Sequence, residues 1–430
     1  MRIIEIKGND KKELVKKYLD RTDNPNPEIE SSVADILKKV RQSGDEALRY
    51  YTKGFDRVDI GEFKVSEEEI EEALSIVGDE FIEVLKSAYK NIYDFHKKQV
   101  ETTWFEEMRD GVRLGQKITP IERVGIYVPG GTAGYPSTVL MTAVPAVVAN
   151  VGSITMVSPP NRDGKIDPYI LSAAYVSGVK DIYKVGGAQA VAALAYGTES
   201  IPSVDKIVGP GNIFVATAKR QVFGTVGIDM IAGPSEIGIL ADKNADPKYV
   251  AADLLSQAEH DVKAASILIT EDMDFANSVS EEVEILKNKL KRNEIVDQSL
   301  ENYGIIFVAD SKEECIDMMN IVAPEHLEIL WEEPENYIDR IVNAGAIFLG
   351  QYTPEPVGDY YAGPNHTLPT GGTARFSSPL GVYDYIKRSS LLSYDRSALV
   401  KDANNIMDFA KNEGLTAHAA AVEVRVNNGD

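Results

Sequence analysis

The 430-residue chain is 43% hydrophobic and 26% charged, an ordinary globular composition with length for roughly two to four domains. Its 45 basic residues against 67 acidic ones leave a net charge of −22, which argues against nucleic acid or an anionic membrane as partner. The one cysteine, Cys315, excludes a disulfide framework and a cysteine-cluster metal site, and makes the reducing cytoplasm the natural compartment.

The opening segment, MRIIEIKGNDKKELVKKYLD, has no apolar core long enough for a signal peptide and carries acids that a transit peptide would lack. Residues 1–117 read as a polar, mostly helical region. Within it the cluster Glu67, Glu68, Glu69, Glu71 and Glu72 reads as a solvated helix face, and His96, in NIYDFHKKQV, as a surface residue of a polar helix.

From about residue 118 short apolar strands alternate with helices. VGIYV, SITMVS, DIYKV and VDKIV read as strands, with YPSTVLMTAVPAVVAN, DPYILSAAYVSG, AQAVAALAYG and NIFVATAKRQVFG as the helices between and after them. Val124 to Asn161 carries no charge, but Pro129, Pro136, Pro145, Pro159 and Pro160 interrupt it, so it reads as buried strand–helix–strand rather than a membrane span. The alternation recurs over 236–350 with EIGILAD, ASILIT, a long charged helix running to Arg292, GIIFVAD, the Cys315 helix, HLEILW and AGAIFLG. Such alternation means mostly parallel sheets with helices on both faces, here as two α/β blocks in tandem. Residues 351–430 begin with a long Gly-, Pro- and Thr-rich loop, of a kind usually functional, and continue as three short helices too small to form their own core.

Three glycine segments follow expected strands: VPGGTAG, VGGAQA and VGPGN. Each would present backbone N–H groups at a helix N-terminus, suited to an anion or phosphate, although glycine there also serves plain turn geometry. The dinucleotide fingerprint G-x-G-x-x-G is absent, because Gly209-Pro210-Gly211 is followed by Asn-Ile-Phe. Gln257 and His260 in LLSQAEHD stand three apart and share a helix face, which permits but does not demand a metal. Glu325 and His326 in NIVAPEHLEILW are set side by side by a proline-marked turn before an apolar strand, a good placement for acid–base chemistry and equally compatible with an exposed polar turn.

The segments VGIYVPGG, VGGAQAVAALAYGT, KIVGPGN, AGPSE, LLSQAEHD, APEHLE, VGDYYAGPNHTLPTGGTARF and EGLTAHAAAVEVR, in this order and spacing, resemble the histidinol dehydrogenase family along nearly the whole chain. The resemblance implies a zinc-dependent oxidation of L-histidinol through L-histidinal to L-histidine with two NAD in succession, the last step of histidine biosynthesis. It implies an α/β fold of two tandem incomplete Rossmann-like, doubly wound and mostly parallel domains. These would be an NAD-binding domain at 118–235 and a second at 236–350 carrying the zinc and base residues. A helical N-terminal region would precede them, and a small C-terminal helical tail at 351–430 would be exchanged within a homodimer whose active sites are shared between chains.

Residue by residue, the resemblance assigns one zinc per site to Gln257, His260, Asp359 and His418. It assigns substrate contacts to these four and to Ser235, His326 and Glu413, and NAD contacts to Tyr127, Gln189 and Asn212. His326 would be the general base, and Glu325 would activate the water that hydrates the aldehyde. Cys315, in the amphipathic SKEECIDMMN, reads as a small core residue rather than the cysteine nucleophile that aldehyde oxidation commonly uses. His366 receives no role. A paralogous dehydrogenase of another small alcohol, such as a sulfonated diol, is the alternative within the enzyme class, and Glu413 disfavours it because a carboxylate suits an ammonium and repels a sulfonate. A non-catalytic zinc or amino-acid binding protein is the alternative outside that class; simple binding needs no base, so the Glu325–His326 pair argues against it.

Overall fold

In the computed structural model the described residues are 1–6, 10–19, 21, 27–130 and 135–427, so part of the VPGGTAG segment lies outside them. Two parallel sheets organise the chain. The first has the strand order Asp181–Lys184, Ser153–Ser158, Arg123–Tyr127, Lys206–Val208, Gly227–Ile228. The second has the order Arg2–Glu5, Gly304–Val308, Ala265–Thr270, Glu236–Leu240, His326–Ile329, Ala346–Leu349. Numbered within its own stretch of chain, each sheet runs 3-2-1-4-5, and Arg2–Glu5 is added at the edge of the second. The shared order identifies the tandem blocks as the same architecture, which their sequences alone do not reveal. In each, the direction of winding reverses between the first and fourth strands, where such sheets open a crevice.

The strands are short apolar runs because both faces are covered. EIGIL, ASILIT and GIIFV are buried at every position, as parallel sheets between helical layers require. In the first sheet, Val124 and Ile126 pack on one face with the helices Asp79–His96 and Pro136–Val148, while Tyr127 and Val157 pack on the other with Pro27–Phe55 and Gly187–Tyr196. The charge-free stretch is thus strand, helix and strand, with Pro145 inside the helix. Among the described residues no helix is long and apolar enough to cross a membrane.

Several local expectations give way. Residues 104–109 and 112–120 are not helical but two strands, and they pair antiparallel with Ile386–Tyr394 in a separate three-stranded sheet. The C-terminal segment therefore contains a nine-residue strand and two helices, Arg396–Asn412 and Thr416–Asn427, in place of three short helices. The long charged helix stops at Lys287, and a second one covers Asn293–Tyr303. His96 is not solvated. It is fully buried, with its Nδ1 2.8 Å from Gln99 Oε1. It continues the buried face of Ile82, Leu85, Ala88 and Ile92, so helical spacing rather than residue polarity decides its environment. The acidic cluster lies on the helix Glu67–Val77, whose start is closed by a Ser66–Glu69 capping box. Glu69 and Glu72 also reach Lys184 and Lys165, tying the helix to the first α/β block.

Candidate active site

A dense cluster of buried ionisable side chains lies at the amino-terminal edge of the second sheet. The helix Lys312–Val322 ends at Ala323, which adopts a left-handed conformation (φ 52°), and Pro324 prevents its continuation. The chain then enters the strand His326–Ile329 with Glu325 and His326 both buried. The neighbouring strand crowds this turn. A Cβ on Gly345 would stand 2.5 Å from the Glu325 carbonyl oxygen, so only glycine permits the Ala346 N–H to Glu325 O bond of 2.9 Å.

His326 Nδ1 lies 3.2 Å from the Glu236 carbonyl oxygen, and its Nε2 lies 3.3 Å from Asp359 Oδ1. Glu325 Oε2 and Glu355 Oε1 each stand 3.9 Å from Nδ1. Glu328, two residues along and so on the same face as His326, accepts the Glu355 N–H at 2.8 Å and fixes the start of the short helix Glu355–Tyr360 that carries Asp359. His366 Nδ1 lies 3.0 Å from the Asp359 carbonyl oxygen, a second support for that helix.

Three carboxylates around one imidazole make the site electrostatically unbalanced. Burial opposes a charged ring at His326, yet Glu355, Glu325 and Asp359 outweigh it and hold the imidazole up to about 10. Burial pushes the Glu325 carboxyl up to about 7, with His326 pulling the other way, and Glu355 up to about 8. At Asp359 burial raises the carboxyl, but the hydrogen bond and charge of His326 prevail and hold it below its ordinary value.

An excess of buried acid suits a divalent cation. The ligand atoms of His260, Glu355 and Asp359 all lie within 4.8 Å of one another. One turn before His260, Gln257 is fully buried, and neither its amide oxygen nor its amide nitrogen has a hydrogen-bond partner. A buried amide without a partner is costly unless something else satisfies it. Imidazole, carboxylate and amide oxygen together form an acceptable donor set for zinc. Of the four ligands expected from the sequence, Gln257, His260 and Asp359 fall at this edge of the sheet. His418 does not. It is exposed on the last helix, and Glu413 is exposed in the turn between the two C-terminal helices. Ser235 immediately precedes Glu236 and is half-buried.

The other expected residues meet at the opposite, carboxyl-terminal edge of the first sheet. Tyr127 ends its strand, and its phenol oxygen accepts the Gly187 N–H at 3.0 Å. Burial pushes that phenol up to about 12. Gln189 is buried in the first turn of the following helix, and its Oε1 has no partner. Asn212 caps the helix Ile213–Val222, accepting from the Phe214 and Val215 N–H groups. Gly209 has φ 111°, and a Cβ there would lie 2.2 Å from the Tyr127 carbonyl oxygen, so the VGPGN turn packs directly on the Tyr127 strand. Beside these strand ends a cavity of about 300 Å³ is lined by Asp56, Gly130, Pro159, Pro160 and Asn161, among others. Cys315 lies at neither edge; it is buried beneath the second sheet, with its thiol pushed up to about 12 by burial and then by Glu271 and Glu314.

The model of the family described as histidinol dehydrogenase matches residues 19–426. The chain belongs to the histidinol dehydrogenase family. It is 52% identical to the histidinol dehydrogenase of Bacillus licheniformis over 430 residues, covering 100% of both chains. It is 53% identical to that of Bacillus subtilis over 398 residues, covering 93% of each. The crystal structure of histidinol dehydrogenase from Elizabethkingia anophelis superposes with a TM-score of 0.95 at 39% identity, over 99% of this chain and 98% of that one. Within this histidinol dehydrogenase fold, sequence reasoning missed Glu355, Glu236 and Arg21 at the site and gave His366 no task. Glu355 stands in TPEPVGD four residues before Asp359, on the same helix face, and that spacing was the available signal.

Proposed function

We propose that the chain oxidises L-histidinol to L-histidine in two steps through the aldehyde, with zinc and NAD as cofactors. The observation that carries this reading is the buried Glu325–His326 pair at a strand start, with His326 bonded to Asp359, Asp359 grouped with His260, and the Gln257 amide one turn before His260 left without a partner. Gln257, His260 and Asp359 would hold zinc, with His418 reaching in from a second chain, and Tyr127, Gln189 and Asn212 would hold NAD. When bound, zinc orients the substrate's imidazole and amino nitrogens, and NAD is the hydride acceptor.

His326 is the base of the alcohol step. Its Nδ1 faces the Glu236 carbonyl and would keep a proton there. Nε2, held protonated by Glu355, Glu325 and Asp359 in the metal-free chain, would be freed to take the substrate's hydroxyl proton once that negative charge is offset by zinc on Asp359. Glu325 is the base of the aldehyde step. It draws a proton from water as the water oxygen bonds the carbonyl carbon, giving a tetrahedral carbon with two oxygens and a hydrogen to release as hydride. A thiol route has no candidate in this chain, because burial keeps Cys315 protonated. Ser235, and Glu413 of the second chain, would contact the substrate, the carboxylate pairing with its ammonium.

The C-terminal arm supports a shared site. Its two helices pack on each other, and the arm is tied back by the strand Ile386–Tyr394 and an Arg109–Asp402 ion pair. It leaves Leu392, Phe409 and Val424 exposed, apolar area that a second copy would cover in a two-fold exchange. A cytoplasmic homodimer is the natural form. The test is histidinol binding by calorimetry before and after chelation. Verified metal-free protein should lose histidinol binding, keep NAD binding and recover the former with added zinc. Unchanged histidinol affinity without metal would overturn the zinc assignment.

A further inference from the structure

The acid next to Glu325 belongs to a buried arrangement that the mechanism above leaves unused. Glu236 opens the strand beside His326–Ile329 and is clasped to Glu325 in both directions. The Glu236 N–H donates to Glu325 Oε2 at 3.1 Å, and Glu236 Oε2 accepts the Glu325 N–H at 3.3 Å. Its other oxygen, Oε1, accepts the Gly371 N–H at 3.1 Å and forms an ion pair with the Arg21 guanidinium. The two side chains are only 5% and 6% exposed. The second terminal nitrogen of Arg21 donates to the carbonyls of Lys263 (2.9 Å), Ser235 (3.0 Å) and Pro234 (3.3 Å).

We propose that Arg21 and Glu236 are positioning residues for Glu325, fixing the carboxylate that activates water in the aldehyde step. This rests on the reading of Glu325 as that carboxylate. The physical need is specific. Glu325 is tethered through one carboxylate oxygen, which on this reading leaves the other for the reacting water, and the tether is the backbone of a residue that is itself a buried acid. Two carboxylates this close in a water-poor site disfavour each other's charge, so Glu236 holds its place as an acceptor only with a cation beside it. Arg21 supplies that cation. Burial pushes the Glu236 carboxyl up, and Arg21 is the largest influence against it. The other terminal nitrogen of Arg21 then reaches the carbonyls that lead into Glu236, including that of Ser235, so the N-terminal segment, the link between the two sheets and the Gly371 loop converge on one point.

The consequence concerns one step more than the other. A displaced Glu325 slows hydration of the aldehyde, whereas His326 keeps its bond to the Glu236 backbone and its place beside Asp359. The experiment compares Arg21→Lys, Arg21→Met, Glu236→Gln and the double variant Arg21→Met/Glu236→Gln as zinc-loaded, full-length protein. Histidinol and histidinal oxidation are assayed separately, alongside thermal unfolding. Arg21→Met and Glu236→Gln should lower kcat for histidinal on the order of 10²-fold, as for a misplaced reacting group, with a much smaller loss for histidinol. Arg21→Lys should restore part of the loss, since it keeps the charge and loses the fork. The double variant carries no unpaired buried charge and so guards against simple failure to fold. It should be folded and still selectively slow on histidinal. Parallel losses in both steps, or a folded double variant with the parent's ratio of rates, would overturn the proposal. Glu325→Gln is run beside them. If it is selective for histidinal while the Arg21 and Glu236 variants are not, positioning alone fails; if Glu325→Gln slows both steps equally, the underlying reading of Glu325 fails.

Discussion

Replacing Asp229 with Asn should weaken both the fold and cofactor binding, through one glycine. Lys219 and Asp229 form an ion pair whose side chains are 3% and 1% exposed, and they grip Gly209 from both ends. Lys219 donates to the Gly209 carbonyl at 2.9 Å, and Asp229 accepts the Gly209 N–H at 2.8 Å. Gly209 in turn packs on the Tyr127 strand and leads to Asn212. Asp229→Asn keeps the shape and an acceptor but leaves the Lys219 ammonium buried without its counter-charge, a loss of about 3–5 kcal/mol. At roughly 2–4 °C per kcal/mol for a domain of this size, the melting temperature should fall by roughly 6–20 °C. Scanning calorimetry reads the fall, and an NAD titration of the same protein should show weakened binding. The double variant Lys219→Met/Asp229→Leu removes both charges and should regain most of the stability, yet its NAD affinity should stay low because the Gly209 N–H has lost its acceptor. An Asp229→Asn protein with the parent's melting temperature and NAD affinity would refute the clamp.

Glu325→Gln should impair histidinal oxidation more than histidinol oxidation, and His326→Asn should cripple the alcohol step, each by roughly 10²–10⁴-fold in single-substrate kinetics; equal damage to both steps by Glu325→Gln would count against a separate water-activating role. Co-expressing His326→Asn with His418→Asn should recover substantial activity, because a shared-site hybrid gathers both lesions into one site and leaves the other intact; verified hybrids without activity would show that His418 serves its own chain. Asp56 should make the fold less stable as pH rises. Burial lifts its carboxyl from the ordinary 3.8 to about 6, so its stabilising contribution is full at the acid end and is lost as pH climbs through that window. Asp56→Asn should remove that fall, and melting curves between about pH 4 and pH 7 with the same slope in parent and variant would contradict it.

The strands that build the two sheets were legible because parallel sheets covered on both faces demand uninterrupted apolar runs, and SITMVS, ASILIT and GIIFV supply them between turn residues. Arg2–Glu5 escaped because it is a short edge strand, with charges at both ends and only one neighbour. Ile386–Tyr394 escaped because it is largely exposed in the single chain, so IKRSSLLSY shows no alternation of apolar and polar residues. At the site, Glu325 and His326 could be read locally from the proline turn, and Gln257 and His260 from helical spacing. Asp359, Glu413 and His418 were reached only by resemblance, since no periodicity joins a loop and a terminal helix to a strand start. Arg21 and Glu236 are 215 residues apart, and nothing local marks either. His96 shows the reverse: the helical spacing of buried positions is present in the sequence, and the polar residues beside it in NIYDFHKKQV mask it.

The most direct test of the central claim is the amount of NADH formed per histidinol consumed by zinc-loaded protein, with the products identified. Two NADH per histidinol, histidine as the product and no accumulated aldehyde are predicted. One NADH with histidinal accumulating, or no NADH at all, would contradict the account.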